Sequence, residues 1–237
     1  MISSTGTQST TGSSLTFDQT SRPWTDAENA AGFVLRYLVP MREQLIHWTA
    51  NEVIADESLK RLITHLVTQG FGANGKGRIR DFLIRGIRSA AKSVVNDIAE
   101  EKRPAIDFNL WTPDSKAWLI YWRNNLLARA WRSLERVEHK SPDRPIYTAL
   151  RASTERSDET PAMLVVRINT ETEFRVDPAG LADLLASGRT LFGEMLTHEI
   201  AETLDAVEID AVEQEKRYLG LNDLFAKPMP RSSSGND

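Results

Sequence analysis

The chain has 237 residues, 41% of them apolar and 26% charged, and a formal net charge of −4. This is enough apolar content for one or two domains with buried cores. The absence of cysteine excludes disulfides, thiolate metal sites and cysteine nucleophiles. No run of about eighteen apolar residues and no basic-then-apolar leader is present, so we expect a cytoplasmic protein that does not enter a membrane.

The two ends of the chain differ in composition from the rest. Residues 1–23 are mostly Ser, Thr, Gly and Gln, and residues 223–237 are also largely polar. Such segments bury too little apolar area to offset the entropy of ordering. We therefore expect a disordered leader and a disordered tail.

Helical spacing of apolar residues between these ends predicts an all-α fold. A first helix begins near Trp24, runs to about Val39 and continues past Pro40 with a kink. The next helix is predicted to start at about Asp56, and a third follows Gly77. Together they form a predicted three-helix domain over residues 24–99.

Residues 70–97 carry the strongest functional signal. They hold six Lys or Arg against two Asp, a net +4 within a chain of net −4, so the remainder sums to −8. At about 100° per residue, apolar side chains fall on one side of the predicted helix and cations on the other. The apolar side comprises Ile79, Phe82, Leu83, Ile87, Ala90 and Val94, and the basic side comprises Arg78, Arg85, Arg88 and Lys92. This reversal of charge favours a polyanionic partner, and the alternative is a solvated basic face that only aids solubility.

Two patterns of enzyme sites fit poorly. Residues 70–77, GFGANGKG, resemble part of a phosphate-binding loop, but helical spacing precedes them and Gly77 stands where the motif needs Ser or Thr. We therefore favour an inter-helix turn. The pair His198 and Glu199 is followed by Glu202 where a zinc HExxH motif needs a second histidine. We assign no catalytic residue, metal ligand or cofactor.

A second domain is predicted after a linker at residues 100–113, where charges and two prolines stop the helical spacing. It spans residues 114–222 and opens with a helix over 115–137, followed by a short helix over 146–152. Pro161 starts a helix to about Ile168, and residues 169–176 form an extended turn or, alternatively, a short strand. Asp177 with Pro178 starts a helix to about residue 204. This order is the outline of a helix-turn-helix, and a charged amphipathic tail follows it.

The stretches GF at 70–71, GRIRDFL at 77–83, LFGEML at 191–196 and EIAETL at 199–204 resemble the extracytoplasmic-function sigma factor family. The resemblance spans about residues 30–220. It implies that the first domain corresponds to region 2, which binds the polymerase clamp and melts the −10 promoter element. It also implies that the second corresponds to region 4, the helix-turn-helix that reads the −35 element.

The resemblance implies the site residues and partners as well. Contacts near the −10 element would come from Lys76, Arg78, Arg80, Arg85, Arg88 and Lys92. Asp56, Glu57 and Lys60 would face the polymerase clamp, and Arg175 and Arg189 would serve the −35 element. Residues 177–204 hold five acids against Arg189, so −35 reading is either lost or carried by Arg167, Arg175 and Arg189.

The expected partners are core RNA polymerase, promoter DNA and an anti-sigma or other protein. The expected function is promoter recognition in transcription initiation, without chemistry of its own. One alternative is a sigma-derived adaptor that binds proteins and no longer reads promoters. A third reading is an unrelated helical scaffold without a nucleic-acid role.

Overall fold

The computed structural model describes residues 23–71, 76–141, 143–206 and 208–222. These residues contain helices and turns and no β-strand, which confirms the all-α prediction. Apart from residue 23, the predicted disordered leader and tail lie outside the described residues. No helix within these ranges is long and apolar enough to cross a membrane.

Nine α-helices form the described part of the chain. They are α1 Ala30–Val34, α2 Leu38–Thr49, α3 Glu52–Gln69, α4 Ile79–Asn96, α5 Lys116–Lys140, α6 Ile146–Glu155, α7 Pro161–Glu171, α8 Pro178–Ala201 and α9 Ile209–Tyr218. Short 3-10 turns lie at Trp24–Asp26, Leu35–Tyr37, Glu100–Lys102 and Phe108–Leu110.

Local capping chemistry sets several helix starts. Asp177 accepts a hydrogen bond from the Gly180 N–H, and Pro178 occupies the first turn of α8 as predicted. Pro161 likewise opens α7 after Thr160. The start of α3 was predicted too late, because Asn51 caps the helix and places its first residue at Glu52.

Three other boundaries differ from the prediction. Pro40 lies in the first turn of α2, where proline is tolerated, because the 3-10 turn Leu35–Tyr37 has already interrupted the chain. α7 continues to Glu171, into the segment predicted to be extended. The tail after α8 contains a further helix, α9, which lies against the rest of the molecule through buried Val212 and Leu219.

One cluster of buried side chains runs through both halves of the chain. It includes residues from Trp24 to Leu221, and Tyr37 of the first half stacks on Trp122 of α5 with ring centroids 4.7 Å apart. The segment predicted to be a linker is packed as well, since Trp111 is buried and stacks on Trp48. The buried cluster is therefore continuous between the two halves of the described chain.

The helix-turn-helix part also has a small core of its own. Ala149 of α6, Leu164 and Ile168 of α7, and Leu181 of α8 form a separate buried cluster. The Asn169 side chain accepts a hydrogen bond from the Val176 N–H and donates one to the Val176 carbonyl, and these two bonds hold the α7–α8 connection in place. The order of helix, turn and longer helix predicted for this region is therefore present.

Candidate functional site

The central basic helix of the sequence is α4, and its apolar side packs as predicted. All the predicted apolar positions are buried except Phe82, which is partly exposed. Phe82 contacts Trp24 and Phe71 at ring distances of 5.4 and 5.5 Å. These contacts fix the rotation of α4 about its axis and hence the direction of its cations.

Three cations of α4 lie on the surface. Arg85, Arg88 and Lys92 are exposed, and none of them has a carboxylate partner within the described ranges. They stand three or four residues apart, which places them on neighbouring turns of one helix face. Guanidinium and ammonium groups in this arrangement bind the phosphates of a nucleic acid backbone.

A groove of about 790 Å³ lies between α3 and α4, and of these three cations Arg85 lines it. Its polar lining comprises Arg61, His65, Arg85, Ser89 and Ser93, and its apolar lining comprises Leu62, Phe82, Gly86 and Ala90. At Gly86 the two helices approach closely, because an added Cβ would lie 2.9 Å from a methyl carbon of Leu62. The groove therefore offers cations and hydroxyls above an apolar floor.

Arg61 closes one end of this groove and is already partnered. It donates to the Ser93 hydroxyl across 2.8 Å and pairs with Asp97 at 2.7 Å. The hydrogen bond to Asp97 raises the pKa of Arg61, so its charge is balanced locally. Arg85 on the opposite wall keeps its charge for a ligand.

Arg80, predicted to contact DNA, is fully buried, and that prediction is wrong for this structure. Its Nε donates to Glu215 Oε1 across 2.7 Å, and its Nη1 donates to the Pro113 carbonyl across 3.2 Å. The physical reason is its position, since residue 80 precedes buried Ile84 and Ile87 by four and seven residues on the same helix face.

Arg78 is only partly exposed and is held by two carboxylates. It pairs with Asp81 at 3.0 Å and with Glu215 at 3.5 Å, and its guanidinium lies 5.5 Å from the Tyr218 ring. Burial opposes the charged form, but the neighbouring charges of Asp81 and Glu215 raise the pKa of Arg78. Arg78 therefore carries its positive charge, and the carboxylates of Asp81 and Glu215 balance that charge within the protein.

The glycine-rich loop does not have the setting of a phosphate-binding loop. Residues 72–75 lie outside the described residues, and the element that precedes them is α3 rather than a strand. The Gly77 N–H donates to Asp205 Oδ2 across 2.5 Å, while the Gly77 carbonyl accepts from Trp24 Nε1. Lys76 is exposed beside this loop.

The residues predicted to face the polymerase clamp lie on one stretch of α3. Asp56 is exposed and accepts two hydrogen bonds from Arg42, at 2.7 and 3.2 Å, which lower the pKa of its carboxyl. Glu57 pairs with Lys60 at 3.5 Å and with Arg61 at 3.6 Å. The structure brings these residues together and shows that each already has a partner of opposite charge.

The arginines predicted for the −35 element have different environments. Arg175 donates to the backbone carbonyls of Asn169 and Phe174, and it borders a cavity of about 420 Å³ that Asp177 and Asp183 also line. Arg167, the third arginine considered, is paired with Glu159 and Glu171. Arg189 is exposed on α8 and has no ion pair in the part of the chain that the structure describes.

Helix α9 also contributes to this site, although its residues were predicted only as a charged amphipathic tail. Glu215 and Tyr218 lie against Arg80, with the Tyr218 ring centroid 4.7 Å from the guanidinium carbon. A signal for this packing exists, since Val212, Glu215 and Leu219 recur at helical spacing and all three are buried. The low apolar content of the segment concealed it.

Within the described ranges, no group of three His, Asp or Glu residues is arranged to hold a metal ion. Comparisons of the chain with models of known protein families, with curated proteins and with solved structures find no match. The residues of the site offer charge, hydroxyl donors and an apolar floor, which suit the binding of an extended anion.

Proposed function

We propose that the protein is a sigma-like subunit of RNA polymerase that acts in transcription initiation and contacts promoter DNA through α4. The observation that carries the proposal is the exposure of Arg85, Arg88 and Lys92 without carboxylate partners in the described part of the chain. They lie in a segment, residues 70–97, whose net charge is +4 within a chain of net −4. Phosphate contacts supply much of the affinity of proteins for nucleic acid.

The proposed polymerase contact is the acidic stretch of α3. Asp56 and Glu57 lie at the surface, at 57% and 39% side-chain exposure, and their partners Arg42 and Lys60 are also at the surface. Exposed ion pairs are weak and can be exchanged for contacts with a partner. The protein would therefore bind the polymerase through α3 and DNA through the adjacent α4.

A second candidate function is a helical adaptor that binds proteins and no longer selects promoters. The observation that favours it is the continuous core, in which the two halves share buried aromatic side chains and the ion pair of Arg80 with Glu215. The acids Asp177 and Asp183 beside Arg175 also oppose DNA binding by the second half.

The DNA role is tested by changing Arg85 and Arg88 together to Glu in the full-length protein. Binding to a fluorescent single-stranded DNA oligonucleotide, followed by anisotropy, should weaken, and the salt dependence should fall by about 1.4 in log–log slope for two lost contacts. The matched control changes Arg132 and Arg136, two exposed arginines of α5, to Glu. Equal loss of binding in both variants would contradict a specific role of α4.

The polymerase role is tested by capture of core RNA polymerase on the tagged full-length chain. We expect capture by the wild type and reduced capture when Asp56 and Glu57 are both changed to Lys. The matched control changes the exposed acids Glu100 and Glu101 to Lys and should capture normally. If the wild type binds no polymerase, the sigma proposal is wrong and the adaptor remains.

A further inference from the structure

We infer that α9 is an internal competitor of nucleic acid. Its Glu215 and Tyr218 hold Arg78 and Arg80, and release of α9 would add Arg78, which shares a face of α4 with Arg85, to the exposed cations of that helix. The inference rests on the proposed DNA role of α4 and extends it, because it assigns a regulatory part to a helix outside the resemblance motifs.

Glu215 occupies N–H groups of Arg80 and Arg78 that a phosphate group would otherwise bind. One carboxylate oxygen accepts from Arg80 Nε at 2.7 Å, and the other lies 3.5 Å from both Arg80 Nη2 and Arg78 Nη1. Glu215 thus bridges two arginines as a phosphate group would, since both anions accept forked hydrogen bonds from guanidinium groups. Tyr218 covers the same pair from above, at 4.7 Å from Arg80 and 5.5 Å from Arg78.

The connection from α8 to α9 covers the start of α4 as well. Asp205 accepts from the Gly77 N–H, and the Thr203 carbonyl accepts from the Ile79 N–H at 2.9 Å. The N-terminal end of a helix carries partial positive charge, so an acid here adds to the attraction that holds the segment in place. The chain therefore places its own anions where the cations of α4 continue toward the glycine loop.

The length of α9 and the way it is attached favour its release. It has ten residues, a length at which an isolated helix is marginal in water, so its structure depends on docking. Its ion pair between Glu213 and Lys216 lies within the helix and does not attach it to the rest of the protein. The attachments of α9 and the turn after it include buried Val212, Leu219 and Leu221, the bonds of Glu215 and a hydrogen bond from the Tyr218 hydroxyl to Asp114 Oδ1.

A nucleic acid bound at the exposed cations would compete efficiently. Arg78 precedes Arg85 by seven residues, about 10 Å along the helix axis. A strand held at Arg85 and Arg88 presents its next phosphates to Arg78 at a high effective concentration. Binding that begins on the exposed face would then extend to Arg78 as α9 leaves.

The test compares Glu215→Gln with Glu213→Gln in the full-length protein. Both remove one negative charge from α9, but Glu213 is half exposed and touches neither arginine. In the anisotropy assay with single-stranded DNA, we expect Glu215→Gln to bind about fivefold more tightly, with a salt slope about 0.7 steeper for the one added contact of Arg78. Glu213→Gln should stay within about twofold of the wild type.

A second measurement uses the wild type and does not depend on the folding of a variant. Hydrogen exchange of the backbone amides of α9 should accelerate when single-stranded DNA is added, because DNA displaces the helix. Slower or unchanged exchange in α9, or equal affinities of the two variants, would overturn the competition while the wild type still bound DNA. If the wild type and Glu215→Gln both fail to bind DNA, the proposed function fails and the competition fails with it.

Discussion

Arg129 of α5 donates from Nε to Glu199 Oε2 of α8 across 2.5 Å, and both side chains are largely buried. The Arg129 guanidinium also lies 5.8 Å from the ring of Tyr37, whose hydroxyl has a raised pKa because it is buried. No partner for Glu199 was predicted from the sequence, where it stands in the failed zinc motif and in the stretch EIAETL. The pair instead joins three helical segments inside the core.

We expect removal of one partner to be far more costly than removal of both. Glu199→Ala should lower the free energy of unfolding by about 3–5 kcal/mol, because it leaves a buried guanidinium without a counter-charge. The double change Arg129→Met with Glu199→Leu should cost much less. Urea denaturation of the full chain measures both. Arg132→Met, on the exposed side of α5, serves as the control at about 0.5 kcal/mol or less. Equal costs for the single and double variants would contradict the ion-pair account.

The second half should contribute little to DNA affinity. Arg175 is bound to backbone carbonyls and lies beside two acids, and Arg189 is a single cation on an acidic helix. Changing both to Glu in the full-length protein should therefore alter the dissociation constant for duplex DNA by less than about twofold. The Arg85 and Arg88 double variant is the positive control in the same titration. A tenfold loss with the Arg175 and Arg189 variant would show that this half does bind DNA.

The glycine loop should not bind nucleotide. The Gly77 N–H that a phosphate would need already bonds Asp205, and a helix precedes the loop. The melting temperature of the wild type should therefore not respond to ATP and magnesium, and Lys76→Ala should behave identically. A ligand at 100 times its dissociation constant would stabilise a real site by about 2.7 kcal/mol. An ATP-dependent rise that the Lys76 variant lacks would restore the nucleotide hypothesis.

The pair of Arg42 with Asp56 should make stability depend on acid pH. The hydrogen bond from Arg42 lowers the pKa of Asp56 in the folded state, so the pair stabilises the protein above the unfolded carboxyl pKa of about 3.9. This contribution is lost as the pH falls through the lowered folded pKa. Asp56→Asn should therefore be destabilised relative to the wild type at pH 7, and the difference should shrink below about pH 3.9.

Urea denaturation at a series of pH values measures that difference. Glu43→Gln is the control, since Glu43 is an exposed acid of the neighbouring helix α2 with no ion pair in the described ranges. It should show no comparable convergence. A difference between wild type and Asp56→Asn that stays constant into strong acid would exclude the Arg42 bond as its cause.

The helices that the sequence predicts well are those with strong local signals. Asp177 with Pro178 starts α8, and the apolar spacing from Ile79 to Val94 describes the packed side of α4. These features depend on residues close together in the chain, so apolar spacing and capping residues are sufficient to predict them. Helix α9 was missed because its mean hydropathy is low and its burial depends on partners far away in sequence.

The candidate site was predicted only in part for the same reason. Exposure of Arg85, Arg88 and Lys92 follows from the spacing on α4 alone. The burial of Arg80 does not follow from that spacing. A buried arginine requires a buried acid, and Glu215 lies 135 residues further along the chain. The spacing of Arg80 with Ile84 and Ile87 indicates the buried face, but an acceptor must be known before a charge can be placed there.

The separation of Arg80 from Glu215 also bears on the order in which the protein forms. At roughly 5–20 residues per second, a ribosome needs about 7–27 s to extend the chain by those 135 residues. During that interval α4 can collapse with α2 and α3 only if Arg80 stays at the surface or finds a temporary counter-ion. The newly made first half therefore contains Asp81 as a partner for Arg80 but not yet Glu215. Completion of the buried site of Arg80 therefore waits until α9 has left the ribosome.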